Sequence, residues 1–140
     1  MMMNFLSDLR RISLDAGREI MAIYTTDFEA SEKADGSAVT AADEVAERLI
    51  INEIQGLSDT APILAEEAAS RGEIPELGDR FFLVDPLDGT REFVNRTHEF
   101  TVNIALVENG TPTAGVVLAP ALNKVWFGAV GEGAVVQEID

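Results

Sequence analysis

The stretch Phe81-Phe82-Leu83-Val84-Asp85-Pro86-Leu87-Asp88-Gly89-Thr90 changes character halfway along, from an apolar run to a turn that carries two carboxylates. Phe81 to Val84 is too short for a helix and suits a buried strand. Asp85 then stands at the end of that strand, Pro86 stiffens the turn, and Asp88, three residues on, is placed to face the same cavity. Two carboxylates on one cavity can hold one or two hard cations. Gly89 permits close approach of a ligand to the backbone. The amides of Gly89 and Thr90, opening a short helix through Arg91, Glu92, Phe93 and Val94, suit a phosphate oxygen. Taken alone, the same turn also reads as Asx-turn capping in a surface loop.

Upstream, Phe5, Leu6, Leu9, Ile12, Ala16, Ile20, Ile23 and Tyr24 recur every three or four positions, which predicts an amphipathic helix. Residues 28 to 38 read as a loop turning at Asp35-Gly36. Thr40, three residues before Asp43, resembles a capping box. Val45, Ala46, Leu49, Ile50 and Ile54 then give a second helix its buried stripe, ending near Gly56. A short strand over 61–65 leads into Glu66-Glu67, and residues 68–79 read as a surface connection.

Downstream, strands are expected over 100–107, 114–119 and 124–129, with Asn109-Gly110 as a hairpin turn, and a further extended stretch begins at Val135. Together these predict an α+β fold in which two long helices cover one face of a largely antiparallel or mixed sheet. Phe81, Phe82, Phe93, Phe100 and Phe127 are expected to pack in or near the core. Arg91 and Arg96 are candidates for anion contacts or for partners of Glu92 and Glu99, and His98 reads as a surface residue.

Composition narrows the chemistry. The 140 residues suit one domain, and with no cysteine there are no disulfides, no thiolate nucleophile and no thiolate-bound zinc. With a single histidine as well, any metal must take oxygen ligands, which favours Mg²⁺, Mn²⁺ or Ca²⁺. A net charge of −15 disfavours nucleic acid polymers and anionic membranes. There is no transmembrane-length apolar run and no secretory pattern at the start, so a cytoplasmic location is expected. If the substrate is a phosphate ester, cations must stand between it and so acidic a protein, although acidity is also a plain solubility trait.

Asp85-Pro86-Leu87-Asp88-Gly89-Thr90 resembles the signature of the inositol monophosphatase superfamily. Glu66-Glu67 after a short strand resembles that family's first metal motif, and Val39-Thr40-Ala41-Ala42-Asp43 opening a helix resembles its third. Gly89-Thr90-Arg91-Glu92-Phe93 and Glu99 to Leu106 are similar to its 3'(2'),5'-bisphosphate nucleotidase branch, the CysQ type; inositol monophosphatases usually have Asn-Phe where Glu92-Phe93 stands.

The resemblance implies a layered α/β sandwich, of which residues 1–140 would be the N-terminal metal-binding domain. Family members are roughly twice this length, so a second domain, in cis or as another chain, would complete the site. The implied reaction is hydrolysis of a small phosphorylated nucleotide, 3'-phosphoadenosine 5'-phosphate, to AMP and phosphate by metal-activated water. The implied cofactors are two or three Mg²⁺ ions, with Mn²⁺ as a substitute. Glu66, Asp85 and the Leu87 carbonyl would hold one metal. Asp85 and Asp88 would share another.

Asp43 would orient Thr90, which with Glu66 and Asp43 makes the catalytic set. Gly89 and Thr90 would bind the substrate phosphate, and Lys33 and Arg91 would contact the substrate. Glu67 is read as a solvated neighbour rather than a ligand, and Asp43 also reads as a helix-start residue. A homodimer is implied by resemblance alone. The alternatives are an inositol monophosphatase, or a non-catalytic metal- or phosphate-binding fragment that needs a second domain or chain.

Overall fold

The computed structural model describes residues 2–26 and 32–139, with side chains described for 5–26 and 41–139. Two long helices, α1 (Met2–Tyr24) and α2 (Glu32–Gln55), lie on one face of a six-stranded sheet. The strands are β1 (Ile63–Ala65), β2 (Arg80–Asp88), β3 (Thr101–Glu108), β4 (Thr111–Ala119), β5 (Lys124–Ala129) and β6 (Gly133–Glu138), side by side in chain order. β1 runs parallel to β2 and every other pairing is antiparallel, so the sheet is mixed and the expected α+β architecture holds. Two short helices interrupt it, α3 (Glu66–Ser70) and α4 (Thr90–Val94).

The helical stripe read from the sequence is the buried one: Leu9, Ile12, Ala16 and Ile20 of α1 and Ala42, Ala46, Ile50 and Ile54 of α2 are wholly buried. They pack on Phe82, Val84, Ile104, Leu106, Val116 and Leu118, the alternate residues of β2, β3 and β4. Each large side chain so placed contributes about 1.5–3 kcal/mol over an exposed position. α1 lies so near β4 that a Cβ on Gly17 would fall 2.5 Å from Leu118 Cδ2. Among the described residues, no helix is long and apolar enough to cross a membrane.

Several expectations need correction. α2 begins at Glu32 and runs through Asp35-Gly36, so Thr40 sits inside the helix rather than capping it. Four alanines between 34 and 42 favour helix, and one interior glycine costs only about 1 kcal/mol once the downstream turns have nucleated it. Residues 28–31 of the expected loop lie outside the described residues. β2 does not end at Asp85 but continues to Asp88, because a bulge leaves Pro86 out of the pairing with β3. Glu66-Glu67 open α3, a short helix that runs into the stretch read as a surface connection. The last extended stretch, β6, is paired with β5 along one edge and exposed throughout.

Arg96, a candidate for anion contacts or for Glu92 and Glu99, reaches back to α1. Its guanidinium donates to the carbonyls of Tyr24 (2.9 Å) and Thr26 (2.8 Å) at the end of α1 and lies over the Tyr24 ring. His98, though exposed, shares a hydrogen bond of 3.0 Å with the Tyr24 hydroxyl. Arg96 (φ 57°) and His98 (φ 70°) both take left-handed backbone, which these contacts hold in place. Phe93 and Phe100 pack against Tyr24 from the same segment, so the link from α4 to β3 is pinned to α1.

Candidate functional site

β1 and β2 are parallel neighbours, so they end on the same side of the sheet, and the acids follow from that. Ala65, the last residue of β1, pairs with Val84, and the next residue on each strand is an acid, Glu66 on one and Asp85 on the other. Their carboxyls are brought side by side at the ends of the two strands. That contact first, then burial and the charge of Asp85, raises the pKa of Glu66 to about 7.

α2 crosses above this point and brings Asp43, only 7% exposed. Burial, followed by repulsion from Glu67, Asp85, Glu47 and Glu44, pushes Asp43 up to about 7 as well. Glu67 is raised by burial and by Glu47, with Arg71 opposing. The cluster is thus an excess of negative charge in which Asp43 and Glu47 are buried, Asp85 and Glu67 half-buried and Glu66 exposed. Asp43 Oδ1 and Asp85 Oδ1 are buried with no hydrogen-bond partner, which is rare in a folded protein and calls for an explanation.

Asp88 reaches the site by the bulge. Between the pairs Asp85–Asn103 and Asp88–Thr101, β2 advances three residues and β3 two. Asn103 and Thr101 lie on one face of β3, joined by a 3.0 Å side-chain hydrogen bond, so Asp88 returns to the face that carries Asp85. A regular strand would have put residues three apart on opposite faces. Asp88 is exposed, and the side chain of Leu87 is buried among the core residues.

Gly89 follows at φ 94°, where a Cβ would stand 2.9 Å from the Glu99 carbonyl oxygen. It is the N-cap of α4, with Thr90 and Arg91 exposed in the first turn. The structure records no hydrogen bond between Asp43 and Thr90 among the described residues. The Lys33 side chain lies outside the described residues.

Sequence reasoning missed Glu47. It is 3% exposed and caps α3, its two carboxylate oxygens accepting the N–H groups of Glu67 (2.8 Å) and Ala68 (2.9 Å). The only sign in the sequence was an acid falling on the buried stripe of α2, one turn after Asp43.

Among the described residues, no group of three acids or histidines stands close enough to hold a metal ion as arranged. The donor set nevertheless fits a hard cation in kind. It is all carboxylate oxygen, it comes from three separate elements, and two of its buried oxygens lack any partner. The opposite face of the sheet carries an open apolar channel of about 720 Å³, with Leu83, Val117 and Trp126 among its lining and Asp85 at its margin.

Comparison with known proteins bears on the same residues. Residues 4–139 match the family described as the inositol monophosphatase family. The 3'(2'),5'-bisphosphate nucleotidase CysQ of Escherichia coli K12 is 42% identical over 129 residues, 91% of this chain and 52% of that protein. A Thermotoga maritima protein named fructose-1,6-bisphosphatase/inositol-1-monophosphatase is 43% identical over 96 residues, 69% of this chain and 36% of its own length. Among solved structures, CysQ from Bacteroides thetaiotaomicron superposes with a TM-score of 0.80 at 35% identity, covering 96% of this chain and 49% of that one. The inositol monophosphatase from Anabaena (Nostoc) sp. PCC 7120 gives 0.77 at 29% identity, over 96% and 47%. The chain therefore spans about half the length of the curated CysQ relatives it matches.

Proposed function

The chain belongs to the inositol monophosphatase family, and on that premise we propose that it carries the carboxylate part of a divalent-metal phosphomonoesterase site that removes the 3'-phosphate of 3'-phosphoadenosine 5'-phosphate. The observation that carries this reading is the pair of buried, unpartnered oxygens on Asp43 and Asp85, beside a Glu66 whose pKa Asp85 raises. An acid cluster of this kind is relieved by a cation. The nucleotidase rather than the inositol phosphatase reading is supported by the length of the match, 42% identity over 91% of this chain to the Escherichia coli nucleotidase against 43% over 69% to the Thermotoga maritima protein.

In this reading Glu66, Asp85 and the Leu87 carbonyl would hold one metal ion, Mg²⁺ or Mn²⁺, and Asp85 and Asp88 would share another. When bound, the metal would supply Lewis-acid stabilisation of the phosphoryl oxygens and a water of lowered pKa. The chain's own residues do the rest. Gly89 and Thr90 open α4, so their amides are left without helical partners and are offered to a phosphate oxygen. Asp43, whose burial and acidic neighbours favour its protonated form until a cation offsets their charge, would accept a hydrogen bond from the Thr90 hydroxyl at its free Oδ1 and so orient it. Arg91, exposed in the first turn of α4, and Lys33 contact the substrate's remaining anionic groups.

Since the chain spans about half of its CysQ relatives, turnover is proposed to need what those relatives carry beyond the matched part. A phosphate-release assay with 3'-phosphoadenosine 5'-phosphate and inositol 1-phosphate at saturating Mg²⁺, beside the Escherichia coli relative, tests both points. The expected result is that this chain releases at least about a hundredfold less phosphate than the relative, because a misplaced reacting group alone costs that much. Fusion to the relative's remaining portion is expected to restore preference for the nucleotide. Preference for inositol 1-phosphate would sink the substrate assignment, and full turnover by the chain alone would sink the divided site. Mg²⁺ binding without turnover in the fusion would instead favour a metal- or phosphate-binding role.

A further inference from the structure

α3 has only five residues, and its N-cap, Ala65, provides no side-chain hydrogen bond. A helix that short does not sustain itself, because nucleation is costly and few turns follow to offset it. Its free first-turn amides are satisfied from another element. Glu47 Oε1 accepts the N–H of Glu67 at 2.8 Å and Oε2 accepts that of Ala68 at 2.9 Å. Hydrogen bonds to an ionised acceptor are roughly twice as strong as neutral ones, and a carboxylate buried to 3% exposure would be strongly destabilising without them. The contact serves little burial of apolar surface: α3 contains no fully buried residue, and Ala68 alone packs in part against the core. What it does fix is the direction of the turn that begins with Glu66.

Glu47 lies four residues after Asp43, on the same side of α2, and both are buried. One rigid helix therefore carries Asp43 directly and Glu66 indirectly, through the clamp. We propose that Glu47 is a positioning residue, which locks α3 to α2 so that Glu66 is presented toward Asp85 and Asp43 at a set spacing. This rests on the metal-site reading above, in that the purpose of the spacing is cation binding.

The test uses the whole chain and Mn²⁺ as the probe, with Glu47→Gln, Glu47→Asp and the control Glu44→Gln, which removes the same charge from an exposed neighbour. Mn²⁺ affinity is measured by calorimetry, amide exchange at Glu67 and Ala68 by NMR, and helix content by circular dichroism. In Glu47→Gln an amide NH₂ replaces one acceptor and opposes a backbone donor. Exchange at the two amides should rise by at least about tenfold, one lost hydrogen bond's worth. Mn²⁺ affinity should fall about tenfold or more, as when a group that orients a ligand is removed. Glu44→Gln should leave both nearly unchanged. Glu47→Asp keeps the charge but falls short of the amides, so it should show the same pattern and serves if Glu47→Gln does not fold.

Unchanged exchange at Glu67 and Ala68 would overturn the clamp. Faster exchange with Mn²⁺ affinity equal to that of Glu44→Gln would leave Glu47 a local cap and overturn the positioning role alone. No Mn²⁺ binding by the unmodified chain would overturn the metal reading, and the positioning role with it.

Discussion

The two faces of the sheet are built from alternate residues of the same strands, yet they have opposite fates. On the helix side, Phe82, Val84, Ile104, Leu106, Val116 and Leu118 are at most 2% exposed. On the other side Leu83, Val117 and Trp126 remain 45%, 37% and 40% exposed around the apolar channel. Period-two patterning makes both faces apolar, but only the helices supply a covering layer. Stability therefore resides on one face. The acid cluster sits where the strands run out, with Asp85 on the open side, Asp43 arriving from the helical side, and Glu66 and Glu47 bridging between them.

The sharpest way to break this comparison is to truncate an aromatic side chain on each face. Phe82→Ala should cost about 3–5 kcal/mol, since it empties a filled core site against Phe5. Trp126→Ala should cost about 1 kcal/mol or less, as is usual for a position still open to solvent. Urea unfolding of the two variants measures this, and equal losses would show that the open face is as well packed as the covered one.

A smaller effect comes from protons at the junction. Burial pushes Asp43, and the contact with Asp85 pushes Glu66, up to about 7 in the folded chain, from ordinary values of 3.8 and 4.5. Their raised pKa means that folded protein keeps protons the unfolded chain has lost. The stability they confer is complete below about pH 4 and fades as pH rises to about 7, the sign that linkage requires. In chelator, the melting temperature should fall by a few degrees from about pH 5 to pH 8, roughly 4 °C per kcal/mol for a chain of this size. Asp43→Asn should flatten that fall. A melting temperature that rises over the same interval in wild type and not in the variant would reverse the assignment. Since cations compete with those protons, metal affinity should increase across the same window.

How much of this was legible in the sequence depended on the range of the interaction concerned. The stripes of α1 and α2, the apolar run of β2 and the Asn109-Gly110 hairpin are local patterns, and they reappear as the covered core and the β3–β4 turn. The juxtaposition of Glu66 and Asp85 needed one further fact, that β1 and β2 are parallel neighbours, which short apolar runs do not declare. The bulge at Pro86 was half visible, because a proline inside a strand demands an irregularity, but its consequence for Asp88 depends on the register with β3. Glu47 and Arg96 were opaque. Each acts on a backbone group 20 or more residues away, the Glu67 and Ala68 amides for one and the Tyr24 and Thr26 carbonyls for the other. Nothing in the residues flanking Glu47 or Arg96 signals which backbone group each will meet.

The account turns on Asp85, the acid on which Glu66 leans and whose Oδ1 is buried without a partner. Calorimetric titration of Mg²⁺ into the wild-type chain and into Asp85→Asn, with the apo melting temperature of each recorded alongside, tests it most directly. The expected result is that wild type binds Mg²⁺, the variant's binding is lost or at least about tenfold weaker, and the apo variant melts no lower than wild type because a crowded buried charge has been removed. Equal Mg²⁺ affinity and stoichiometry in the two proteins would remove Asp85 from the site and contradict the account.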